Sequence, residues 1–227
     1  MTTVAAGSAR VAGSVRTPKL RADASRNRER IVLAARDVFV EDGADAPLDE
    51  IAKRAGVGNA TLYRNFPDRA SLIREVAILV KNRILALAET ATTEASAPGG
   101  GGPFEALQRF AHGAVAEKVG GLCALFTGHV DPNDPELVEI RERLRAAVCG
   151  LMDRARDAGE MRPDADHGDL FIAISQLTRP LPGTTCGLLD EFVHRHLQLF
   201  LDGLRAPARS TLPGRAATFE DFQQSRH

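Results

Sequence analysis

The chain has 227 residues, with 29 Lys+Arg against 30 Asp+Glu, a formal net charge of −1, 44% apolar and 26% charged residues. This is ordinary globular composition and excludes collagen, a coiled-coil rod and a wholly disordered chain. No run approaches the ~18 apolar residues of a membrane-spanning helix, so no membrane partner is expected.

Residues 1–24 are rich in Ala, Gly, Ser and Arg, lack the continuous apolar stretch of a secretory signal, and read as a disordered basic arm. Residues 1–74 carry thirteen Lys+Arg against nine Asp+Glu, while residues 75–227 carry sixteen against twenty-one. A net of +6 over the first 36 residues is the kind of electrostatic footprint that suits nucleic acid.

Helical signals dominate the rest, and an all-α fold is expected. Ile31, Ala35, Val38 and Phe39 share one face of a helix over about 26–42, and Gly43 fits its left-handed stop. Pro47 suits the first turn of a second helix, striped by Leu48, Ile51, Ala52 and Ala55. Gly56-Val57-Gly58 breaks it, Asn59 can cap a short helix to Phe66, and Asp68 can cap a longer one to about Glu89. Two short helices joined by a tight glycine turn behind a longer first helix form a helix-turn-helix.

Stepping at 100° per residue puts Leu62 and Phe66 on one side of the 59–66 helix and Arg64 opposite. Ala60 and Thr61 share the outer face, with Tyr63 and Asn65 at its flanks. Small side chains, a guanidinium and hydroxyls suit a major groove, where Arg reads guanine and hydroxyls or amides meet phosphate.

The linker 95–103 precedes helices expected at about 104–115, 135–158, 166–178 and 188–204, with Asp134 capping ahead of Pro135. The last twenty or so residues mix Pro, Arg, Ser and Gln and are expected to fray. Cys123, Cys149 and Cys186 are odd in number and widely spaced, which suits a reducing cytoplasm. No metal site, cofactor or catalytic residue is expected, since nucleophile elbow, phosphate loop and His-Glu-x-x-His are all missing. His194 and His196 diverge by about 200° on one helix, which argues against joint metal binding.

The spacing from Ile31-x-x-Ala34-Ala35-x-x-x-Phe39-x-x-x-Gly43 through Leu48-x-x-Ile51-Ala52-x-x-Ala55-Gly56-Val57 and Thr61-Leu62-Tyr63-x-x-Phe66-Pro67-x-Arg69-x-x-Leu72 resembles the TetR family of bacterial transcriptional regulators. The likeness covers roughly residues 26–76. It implies a basic arm (1–24), a three-helix DNA-binding domain (25–70), a larger helical ligand-binding and dimerisation domain (71–205) and a flexible tail (206–227). It further implies Asn59, Ala60 and Arg64 at base edges, and Thr61, Tyr63, Asn65 and Arg69 at phosphates. Asn65 stands where His or Tyr is frequent, and Ala46 where a capping Thr is common, with Asp45 a possible substitute.

The resemblance also implies a homodimer on a palindromic double-stranded operator, with recognition helices about 34–36 Å apart. Release would follow binding of a small-molecule effector, with the helix from Asp68 as lever and 166–178 and 188–204 at the dimer surface. Phe110, Phe126, Met152, Phe171 and Ile174, with the polar groups His112, His129 and Gln176, are the pocket expectation, beside Phe104 and Leu107. The alternative reading is a helical small-molecule-binding protein without DNA regulation.

Overall fold

A computed structural model describes residues 18–97, 99–179 and 186–224. Among these, ten helices and no strand occur: α1 (Pro18–Asp42), α2 (Leu48–Ala55), α3 (Asn59–Asn65), α4 (Arg69–Ser96), α5 (Pro103–Ala116), α6 (Val119–His129), α7 (Pro135–Asp157), α8 (His167–Leu177), α9 (Cys186–Leu204) and α10 (Phe219–Gln224). No helix among the described residues is long and apolar enough to cross a membrane.

The first three helices close around one apolar centre. Ile31, Ala35, Val38 and Phe39 of α1 are buried with Ile51 and Ala52 of α2, Leu62 of α3, and Phe66. Leu72, Ile73 and Val76 bring the start of α4 into the same core. The α2–α3 turn depends on Gly56, whose φ of 65° places it in the left-handed region. Its neighbour Val57 donates back to Ala52 O at 3.0 Å, closing the helix end.

Helix α4 has 28 residues, about 42 Å at 1.5 Å per residue, and leaves the small domain as the spine of the large one. Asp68 caps it, accepting from Ser71 N at 2.7 Å. The helix runs past the expected end near Glu89 because Ala88 and Ala91 stay buried. It packs on α5, α6 and α7, and α8 and α9 close the far side. Asp134 caps α7 by accepting from the Glu136 and Leu137 amides, as its place before Pro135 indicated.

Two further boundaries differ from the sequence reading. Helix α1 begins at Pro18, so 18–24 is helical; residues 1–17 of the expected arm lie outside the described residues. Residues 206–224 are laid down on the large domain instead of fraying. Arg162, only 4% exposed, pairs with Asp164 and donates to Gly203 O and Ser210 O. Phe219 N donates to His167 Nε2 at 2.8 Å, and the two rings stack at 4.9 Å. A Cβ on Gly168 would lie 2.2 Å from Ala217 O, so only glycine lets the tail come this close to α8. Phe219 and Phe222, one helical turn apart, supply the apolar anchors that a polar composition hid.

Candidate nucleic-acid interface

Helix α3 is seven residues long and too short to hold itself together. Its N-cap Gly58 offers no side-chain bond, so Thr61 N and Leu62 N close on Gly58 O alone. Order comes from burial: Leu62 and Phe66 are each 1% exposed, anchoring one side of the helix. The other side carries exposed Asn59, Ala60, Tyr63 and Arg64, with Thr61 and Asn65 half-buried. Tyr63, 49% exposed, is the most exposed large hydrophobic side chain among the described residues of the small domain. Arg64 makes no hydrogen bond or ion pair among the described residues, which leaves five N–H donors for a ligand.

Two of the expected DNA-facing side chains are engaged within the fold. Asn59 Nδ2 donates to Asp49 Oδ1 at 2.9 Å, tying the start of α3 to α2. Asn65 Nδ2 donates to Thr61 O at 2.8 Å, back along its own helix.

Arg69 is engaged as well. Its Nη1 reaches both Ala44 O and Ala46 O at 2.7 Å, and the side chain is half-buried. One edge of the guanidinium therefore holds the α1–α2 connection. The same contact explains how the connection tolerates Ala46. Helix α2 begins after Pro47 with no side-chain cap, and Asp45 does not substitute for one.

The expected pocket residues occupy several environments. Phe110, Met152 and Ile174 are buried in the large domain, and Phe126 is half-buried. His112 lies between α5 and α9: its Nδ1 is 2.9 Å from His194 Nδ1, and Nε2–H donates to Gln198 Oε1 at 3.1 Å. Exposed His129 donates from Nδ1 to Leu125 O, and Gln176 is also exposed. Phe171 packs on the rings of Phe219 and Phe222 and so belongs to the tail contact. A surface cavity of about 610 Å³ lies where α7 meets the tail, lined by Cys149, Arg156, Asp166, His167 and Arg215 among others. None of the eight expected residues borders it.

Cys149 is a free, half-buried thiol, and burial pushes its pKa up, away from the reactive thiolate. The side chains of Cys123 and Cys186 lie outside the described set. Among the described residues, no group of three or more His, Cys, Asp or Glu is placed to hold a metal ion.

Residues 31–76 match the family model for bacterial regulatory proteins of the TetR family, and residues 102–206 match a C-terminal domain described as that of SbtR-like transcriptional regulators. A TetR transcriptional regulator from Streptomyces coelicolor is 33% identical, with a TM-score of 0.55 over 80% of this chain and 99% of that one. The chain belongs to the TetR family. A TetR regulatory protein from Mycobacterium vanbaalenii is likewise 33% identical, with a TM-score of 0.53 over 82% of this chain and 99% of its own. Curated relatives, HTH-type transcriptional regulators of Staphylococcus aureus, are 43% identical over 54 residues, 23% of this chain. That match spans only 29% of their length. The stretch matching the TetR N-terminal model contains α2 and α3, joined by the tight turn at Gly56.

Proposed function

We propose that this TetR-family regulator binds a palindromic operator as a homodimer, inserting α3 of each protomer into the major groove. The observation that carries the reading is the outward, unpartnered Arg64 on a helix whose other side is locked into the core. Arg64 would read a base edge, with Ala60 permitting close approach and Asn59 positioned beside it. Thr61 and Tyr63 would meet phosphates. Asn65 and Arg69 would act at the DNA mainly by fixing the frame, because their bonds face inward. The DNA-reading unit spans 25–70 and the effector and dimer domain 71–205.

Support for dimerisation comes from α8 and α9. Ile172, Phe192 and Leu199 are 40%, 42% and 61% exposed, an apolar surface that a second copy would cover in a four-helix arrangement. Repression would be relieved when a small effector in the large domain favours a conformer with the wrong helix spacing. A regulator of this kind acts in the cytoplasm.

Selection of bound fragments from a random DNA pool tests the reading. A recovered palindrome with half-sites about one helical turn apart is the expected result. Failure to enrich any sequence at modest salt overturns it and leaves the helical ligand-binding alternative.

A further inference from the structure

A continuous ladder of charged groups joins the end of α3 to the start of α7. Arg28 of α1 donates from Nη1 to Asn65 O, a carbonyl at the C-terminal end of α3, at 3.2 Å. The same guanidinium lies 4.4 Å from the centre of the Phe66 ring, and its Nη2 is 3.0 Å from Glu75 Oε1 on α4. Glu75 Oε1 also receives Arg74 Nη1 at 3.4 Å. Arg74 then grips Asp134 through Nε and Nη2, and Nη2 reaches Glu136 Oε2 at 3.0 Å.

A seven-residue helix with no side-chain cap at its start gains much of its fixed tilt from whatever grips its end. Arg28 supplies that grip in three ways: it hydrogen-bonds Asn65 O, places a cation at the helix C-terminus and covers the Phe66 ring with its guanidinium. Glu75 fixes where Arg28 sits, and Arg74 fixes Glu75. Each link is partly exposed, with side chains of Arg28 and Arg74 43% and 36% accessible, so each alone is weak and only the connected set holds a geometry.

We infer that Arg28, Glu75 and Arg74 are positioning residues for sequence discrimination, transmitting the placement of the α7 N-terminus to the tilt of α3. This inference rests on α3 being the base-reading element. A double-mutant cycle measures the coupling.

The full chain is compared with Arg74→Ala, Glu75→Gln and the double variant. Two readouts are taken: binding to the duplex recovered from a random pool against a scrambled duplex of equal length, and hydrogen exchange of backbone amides. Arg74→Ala should lower the ratio of specific to scrambled affinity by about three- to tenfold, with scrambled binding unchanged. It should speed exchange at residues 62–66 while amides 51–55 of α2 hold steady. In the Glu75→Gln background, Arg74→Ala should add less than about twofold to either effect, since the ladder is already cut. Equal losses on both duplexes, full additivity in the double variant, or unchanged exchange in α3 would overturn the relay. If the wild-type chain recovers no motif, base reading by α3 fails, and the exchange data still decide whether the ladder grips the helix.

Discussion

Arg74 and Asp134 meet at two points across 60 residues of chain, Nε to Oδ2 at 2.6 Å and Nη2 to Oδ1 at 3.1 Å. The same Asp134 carboxylate caps α7, so one side chain ends one helix and braces another. Hydrogen bonding from Arg74 is the largest cause holding the Asp134 carboxyl below its ordinary pKa, aided by the Leu137 and Glu136 amides. The Arg74 guanidinium is pushed the opposite way by Asp134 and Glu136.

This pair sets a pH dependence. A carboxylate with a depressed folded pKa adds stability that is fully present above its unfolded value, about 3.9, and disappears as pH falls through the lower folded value. Asp134→Ala should cost about 1–2 kcal/mol at pH 7, the usual cost of a lost N-cap. Thermal melts should show the gap to wild type constant above about pH 5 and closing in stronger acid. A gap that widened on acidification would contradict the assignment.

Arg64→Ala should relax base preference at one operator position and cost about 1–3 kcal/mol of specific binding, while melting is unchanged. Competition among single-base operator variants reads this directly. An unaltered preference profile would remove Arg64 from the base-reading set.

Arg69→Ala should act first on folding. Two charge-assisted bonds to Ala44 O and Ala46 O would vanish, leaving both carbonyls short of a donor and costing about 1–3 kcal/mol. Calorimetry checks this. An unchanged melting temperature together with a shallower salt dependence of DNA binding would instead return Arg69 to a phosphate.

Gly168→Ala should release the C-terminal segment, because the new Cβ would sit 2.2 Å from Ala217 O. Limited proteolysis should then cut after residue 205 faster than in wild type. Phe219→Ala should produce the same pattern with a smaller loss of stability, about 1 kcal/mol for the missing ring contacts. Equal cleavage rates in all three proteins would mean the docked tail contributes nothing to protection.

Removal of residues 1–17, which carry Arg10 and Arg16 and no acidic residue, should weaken binding to every duplex and flatten the salt slope without lowering the melting temperature. Loss confined to one sequence would assign the segment a reading role.

How much was legible in the sequence follows from how local each signal is. The glycine stop at Gly56, the Asp68 and Asp134 caps and the apolar stripe through Ile31, Ala35, Val38 and Phe39 are read within a few residues, and the structure contains them. The outward face of α3 follows from helical periodicity once Leu62 and Phe66 are taken as core. Arg69 was assigned to phosphate through the family resemblance, which does not reveal which carbonyls a flexible guanidinium will also meet. The tail was misread for a similar reason: Phe219 and Phe222 look stranded until α8 presents His167, Gly168 and Phe171 to them.

Chain order alone determined that this protein is helical, that a short cationic helix follows a tight turn, and where most helices stop, because backbone torsion and apolar period are properties of neighbouring residues. Three-dimensional packing decided which cations face inward, how Arg28, Glu75 and Arg74 line up, and where residues 206–224 come to rest. Those outcomes depend on side chains distant in sequence meeting one another, and only burial of a shared core brings them within reach.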